Sequence, residues 1–145
     1  MVYYDYYHRV RYGECDPMRV VYHTRYLDFF EAARTEALRD FGMPYAELEE
    51  AGVLMPVVEA SIQYRRSALY DDLLQIRAIF PEVPQIRATV DYEVRRMVDG
   101  EPADPILVTG RVVLCFLDAE RQRPVRAPQA FVDAFGRLQQ SVSEP

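Results

Sequence analysis

The chain has 145 residues, 50% of them hydrophobic and 28% charged, which is the make-up of one ordinary domain able to bury a core without disulfide or metal. Its 11 Tyr and 7 Phe exclude disorder, and no apolar stretch approaches the ~20 residues of a membrane helix. The formal charge of −6 argues against nonspecific nucleic-acid binding, which draws its strength from neutralised phosphates.

Taken in chain order, the first expected element is a strand near residues 4–13. The next is a long helix over residues 24–41, with apolar residues at 26, 27, 29, 30, 33, 37, 38 and 41. Only a narrow polar stripe remains, formed by Asp28, Glu31, Thr35 and Arg39. A helix so apolar must be wrapped by something larger than one partner helix. Gly42 supplies its stop, and Pro44 opens a short second helix over 44–51.

From residue 53 the apolar period changes from 3.6 to 2. Val58, Ala60, Ile62 and Tyr64 form one expected inward face, and Leu74, Ile76, Ala78 and Phe80 the next. Ile86, Ala88, Val90, Tyr92 and Val94 follow, then Val108, Gly110, Val112, Leu114 and Phe116. Short loops favour antiparallel neighbours. A final short helix begins at Pro128 and carries Phe131, Val132, Phe135 and Leu138. One-face alternation means a sheet that packs on a single layer. The order of elements therefore predicts an α+β domain spanning 1–145, with a five-stranded antiparallel sheet wrapped around one long helix. That architecture is the hotdog fold.

Several chemistries lack their residues. All 17 basic residues are Arg, so Schiff-base chemistry and a P-loop lysine are excluded. Cys15 and Cys115 with His8 and His23 offer no zinc spacing, so no metal is expected. No serine sits in a G-x-S-x-G elbow. The N-terminus lacks the basic-then-apolar layout of a signal peptide, and a cytoplasmic protein is expected.

One block is distinctive: YGECDPMRVVYHTRYLDFFEAARTE at residues 12–36. It resembles the signature of the hotdog acyl-CoA thioesterases, of the 4-hydroxybenzoyl-CoA thioesterase type. Weaker agreement continues through residues 65–73 and 117–128. The resemblance implies hydrolysis of acyl-CoA thioesters, short-chain or aromatic, with no cofactor beyond the coenzyme A of the substrate. It implies Asp16 as general base or nucleophile, and the backbone amide of His23, at the start of the long helix, as oxyanion donor. It also implies a homodimer or homotetramer with sites at the dimer interface. Many relatives carry Gly three residues after the catalytic Asp, where this chain has Arg19. If that position needs a positive φ or a close backbone approach, Arg19 alters the mouth of the pocket.

The residues themselves leave plainer readings open. Asp16 before Pro17 also suits a turn or a helix N-cap. His23 could act through its ring or only through its amide. Tyr22 and Tyr26, with Phe29 and Phe30, could line an acyl pocket or belong to the core. Arg65, Arg66 and Arg126 could hold the phosphates of coenzyme A or be ordinary surface charges. Cys15 adjoins Asp16, and a continuing strand would point it to the opposite face. Glu31 on the helix is a possible alternative base. Two competing functions follow: a noncatalytic hotdog module that binds acyl-CoA, and a hotdog dehydratase or hydratase, which would need a histidine paired with a carboxylate.

Overall fold

The computed structural model describes residues 1–143, with side chains through Gln139; the last two residues of the expected domain, 144 and 145, lie outside the described residues. Five strands form the main sheet: β1 (Val2–Arg9), β3 (Val57–Tyr64), β4 (Leu73–Phe80), β5 (Arg87–Val98) and β6 (Glu101–Cys115). Their spatial order is β1-β4-β5-β6-β3, and every neighbouring pair is antiparallel. Three two-residue strands, β2 (Val53–Leu54), β7 (Leu117–Asp118) and β8 (Arg123–Pro124), make a small second sheet that the sequence did not announce. The helices are α1 (Arg25–Asp40), α2 (Tyr45–Glu50) and α3 (Gln129–Ser143). No helix among the described residues is long and apolar enough to cross a membrane.

The long helix α1 lies over β1 and β4 and buries Tyr26, Phe29, Phe30, Ala33, Ala37 and Leu38. Opposite it the sheet presents Leu74, Ile76, Ala78, Val90, Tyr92, Val94, Val108, Val112 and Leu114, all buried. Phe30 stacks on Tyr92 with ring centroids 4.2 Å apart. It can do so because position 110 is glycine: a Cβ there would overlap the Phe30 ring. At the far end α3 closes the core with Phe131 and Phe135, which pack on Phe41, Phe80 and Phe116. The β5–β6 turn is Asp99-Gly100, both with positive φ, as a tight two-residue hairpin turn requires.

Five expectations need correction, beginning with the final helix, which runs 15 residues rather than being short. The first strand ends at Arg9, not near residue 13, and Tyr12–Glu14 forms a turn of 3-10 helix instead. Glu14 closes that turn by accepting the Arg11 N–H at 2.7 Å, which competes with continued pairing. The face Val58, Ala60, Ile62, Tyr64 is not buried: only Ile62 is partly covered. The reason is where the helix lies: α1 packs on β1 and β4, towards the opposite edge of the sheet, and leaves the face of β3 uncovered. Ile86 precedes β5 and is exposed, as is Leu27 on α1. Lastly, a charge sits inside the helix's apolar face. Arg34 is buried and donates to the hydroxyls of Tyr45 at 2.8 Å and Tyr92 at 3.0 Å.

Candidate active site

Asp16 does not end a strand; it opens a tight hairpin turn. Its N–H donates to the Val20 carbonyl at 2.9 Å, and its own carbonyl accepts the Arg19 N–H at 2.9 Å. Pro17 presets the turn, and Arg19 completes it with φ of 66°. Flanking residues pair as short bridges, Cys15 with Val21 and Val20 with Leu69, so the turn is pinned both to itself and to the chain after β3. The Asp16 side chain also serves this turn, its Oδ1 accepting the Met18 N–H at 2.8 Å. The turn reading of Asp16 is therefore correct as far as it goes, whereas the N-cap reading is not: α1 has no side-chain cap.

That missing cap matters chemically. The first amides of a helix have no intrahelical acceptor, and the helix dipole makes that end positive. Among the described residues the backbone N–H of His23 donates to no backbone acceptor. The residue is fixed from its other side, because the Tyr64 hydroxyl donates to the His23 carbonyl at 2.9 Å. Its ring lies 4.5 Å from Tyr22 and 6.1 Å from Tyr64, centroid to centroid.

One cleft of about 290 Å³ gathers Asp16, Tyr22, His23, Tyr26, Arg65 and Arg66, together with Tyr64 and Ser67. Six of the seven expected site residues thus share a wall. Arg126 is the exception: it lies in the segment after β8, where neighbouring amides bond to Phe116 and Gln85, and it does not line this cleft. Both arginines are held at the end of β3, where their N–H groups share the Leu107 carbonyl at 3.0 and 2.9 Å. Tyr26 is buried, and that burial pushes its phenol up to about 12, so it stays protonated as a wall of the cleft. Glu31 is exposed on α1 and lines no part of the cleft.

Cys15 does not fall cleanly opposite Asp16, because the strand that would have alternated them has ended. Both line a small recess on the other side of the turn. Desolvation, followed by the charges of Glu14, Asp16 and Asp72, raises the Cys15 thiol above its usual range. A thiol kept protonated is a poor nucleophile. His8 is likewise committed elsewhere. Its Nε2 lies 2.8 Å from Glu14 Oε1 and its ring 4.5 Å from that of Phe29, outside the cleft. Glu14 in turn accepts the Tyr22 N–H on its carbonyl at 2.9 Å, which ties β1 to the loop entering α1.

The sequence did not mark Tyr64 as part of the site, since its role is a hydroxyl bond to a carbonyl 41 positions away. Tyr12, which shares the recess with Asp16 and Arg19, was also missed. A carboxylate beside an open helix N-terminus, in a sheet wrapped on one long helix, defines a hotdog domain of the thioester-hydrolase kind. Comparison with known proteins bears on this directly. Residues 10–135 match the model of the thioesterase-like superfamily, and the chain belongs to that family. It is 36% identical to the acyl-CoA thioesterase YbgC of Haemophilus influenzae over 132 residues, covering 90% of this chain and 92% of that one. It is 29% identical to the putative acyl-CoA thioesterase YneP of Bacillus subtilis over 124 residues, 86% of each chain. The solved DHNA-CoA thioesterase of Staphylococcus aureus is similar with a TM-score of 0.86 at 25% identity, covering 100% of this chain and 97% of that one.

Proposed function

We propose that this protein hydrolyses acyl-CoA thioesters to the free acid and coenzyme A, with Asp16 as the reacting carboxylate. The observation that carries this is the shared cleft: Asp16, the uncapped start of α1 at His23, and the Arg65–Arg66 pair line one wall. A thioester carbonyl against the His23 amide gains a donor where negative charge develops. One such donor in a closed site is worth about 3–4 kcal/mol. Asp16 then takes a proton from water, whose oxygen attacks the carbonyl carbon; the C–S bond breaks and the thiolate leaves with that proton. In the alternative route the Asp16 carboxylate attacks directly and water hydrolyses the mixed anhydride. Both routes use the same carboxylate and amide, and coenzyme A enters only as part of the substrate.

Arg65 and Arg66 supply the positive charge that an acidic protein must concentrate for the phosphates of coenzyme A. We further propose that β3, an exposed edge strand, pairs with a second copy to give at least a homodimer. The cytoplasm, where acyl-CoA is made and used, is the proposed site of action. The test is thiol release from a panel of acyl-CoA esters by the wild type and Asp16→Asn. Asn keeps the side-chain oxygen that accepts the Met18 N–H, so the turn should survive while activity falls at least about 100-fold. Full activity in the variant, with wild-type melting behaviour, would remove Asp16 from the mechanism.

A further inference from the structure

A second concave region opens on the other side of the Asp16 turn, and hydrolysis as described makes no use of it. Beside Asp16 is a recess of about 260 Å³ walled by Tyr12, Cys15, Pro17, Arg19 and Tyr70. Tyr12, Arg19 and Tyr70, joined by Leu69, also line a larger cavity of about 520 Å³. That is the size of a small-molecule pocket, typically about 300–1,000 Å³. Its walls are apolar groups that the fold leaves uncovered: Tyr12 is 74% exposed, Leu69 47% and Tyr70 45%. The two rings meet edge to face with centroids 5.7 Å apart.

Arg19 is the one charged group of this cavity. Among the described residues its guanidinium makes no hydrogen bond or ion pair, unlike the bidentate arginines Arg77 and Arg111 on the outer face of the sheet. Its backbone is nonetheless held firmly: its N–H donates to Asp16, and its carbonyl accepts the Tyr70 N–H at 3.3 Å. The side chain therefore stands at a fixed root between a tyrosine wall and the reacting carboxylate. It does so at a positive φ, where any side chain is disfavoured.

We propose that this cavity takes the acyl limb of the thioester, and that Arg19 is a specificity-determining residue selecting acyl groups that end in a carboxylate. This rests on the hydrolase reading above. Asp16 lines both clefts, so the scissile carbonyl sits at their boundary. The limb bearing phosphates runs towards Arg65 and Arg66, which leaves the tyrosine-walled cavity for the acyl group. Methylenes or a flat ring pack on Tyr12, Tyr70 and Leu69, and the distal carboxylate meets the planar fork of Arg19 in a charge-assisted pair. An acyl chain ending in methyl offers that exposed guanidinium no counter-charge.

The experiment compares glutaryl-CoA with pentanoyl-CoA, which have the same length and differ only in the distal carboxylate or methyl. The same acyl pair is also measured on pantetheine, which lacks the nucleotide. Wild type should favour glutaryl in kcat/KM by about tenfold or more on both carriers, the usual scale of a charged hydrogen bond. Arg19→Met keeps a side chain at the positive φ and removes the charge, and should lower the glutaryl-to-pentanoyl ratio about tenfold on both carriers. Arg19→Lys should restore part of it. An unchanged acyl ratio in Arg19→Met overturns the proposal. So does a loss confined to the preference for coenzyme A over pantetheine, which would make Arg19 a phosphate contact. Wild type that turns over no ester at all would overturn the hydrolase reading first, and the acyl subsite with it.

Discussion

Arg19 occupies a backbone position that suits glycine better than arginine. Its φ of 66° costs a residue with a Cβ about 1–2 kcal/mol, and glycine would return about 0.5–1 kcal/mol of that in lost unfolded-state freedom. Arg19→Gly should therefore stabilise the protein by about 0.5–1 kcal/mol, since the exposed side chain has no folded-state partner among the described residues to forfeit. A urea titration of both proteins measures this directly. An unchanged or lower midpoint would mean that the guanidinium holds the turn in a way its backbone bonds do not. Asp16 shows the complementary case. One of its oxygens is spent on the Met18 amide, so a residue can have an ordinary turn role and still present a carboxylate to a cleft.

At the scale of elements, the meeting of α1 with the sheet depends on a missing side chain. Phe30 fills the space that a Cβ at position 110 would need, and it is stacked there on Tyr92. Gly110→Ala should force Phe30 off its rotamer or push α1 away from β6, at a cost of about 1–3 kcal/mol. A loss of that size in denaturant midpoint, with the slope unchanged, is the expected result; a neutral effect would show that the helix can slide. The sequence made the elements legible for the same physical reason: an element buried on one face repeats with its own period. The bounds of α1 came within a residue of those expected, and β4 to β6 followed their alternation except at Gln75 and Val113, which are buried out of phase. What the pattern could not carry was topology. Val58, Ala60 and Tyr64 alternate as faithfully as Ala88, Val90 and Tyr92, yet only the latter set is covered, because α1 lies over the sheet from β1 towards β5, where Phe30 stacks on Tyr92, and leaves β3 bare. The hairpin around Asp16 was equally silent, being fixed by backbone bonds that leave no apolar period. Arg126 looked equivalent to Arg65 and Arg66 as a cation, and only the path of the chain separates them.

For the whole molecule, the absence of lysine gives an uncommon handle on stability at high pH. In most proteins lysine ammonium groups lose their protons near pH 10 and mask everything else. Here all 17 basic residues are Arg, which stays charged, so the 11 tyrosines dominate that range. Burial pushes Tyr92 up to about 12 against the opposing influence of Arg34, and burial likewise pushes Tyr26 and Tyr4 up to about 12. A tyrosine whose folded pKa lies above its unfolded value of about 10 favours the native state fully below pH 10. That contribution is lost as pH rises towards about 12, because the unfolded chain releases protons the native one retains. For Tyr92, 1% exposed, the loss amounts to about 2–3 kcal/mol. Growing negative charge on a chain that already carries −6 at neutral pH adds self-repulsion in the same direction. Urea midpoints should therefore hold to about pH 10 and then fall steeply. Tyrosinate absorbance should rise in two stages, the exposed rings first and the buried ones together with unfolding. If all the tyrosines ionised in a single stage near pH 10 with the fold intact, the Arg34–Tyr92–Tyr45 cluster would be open to water rather than sealed beneath α1.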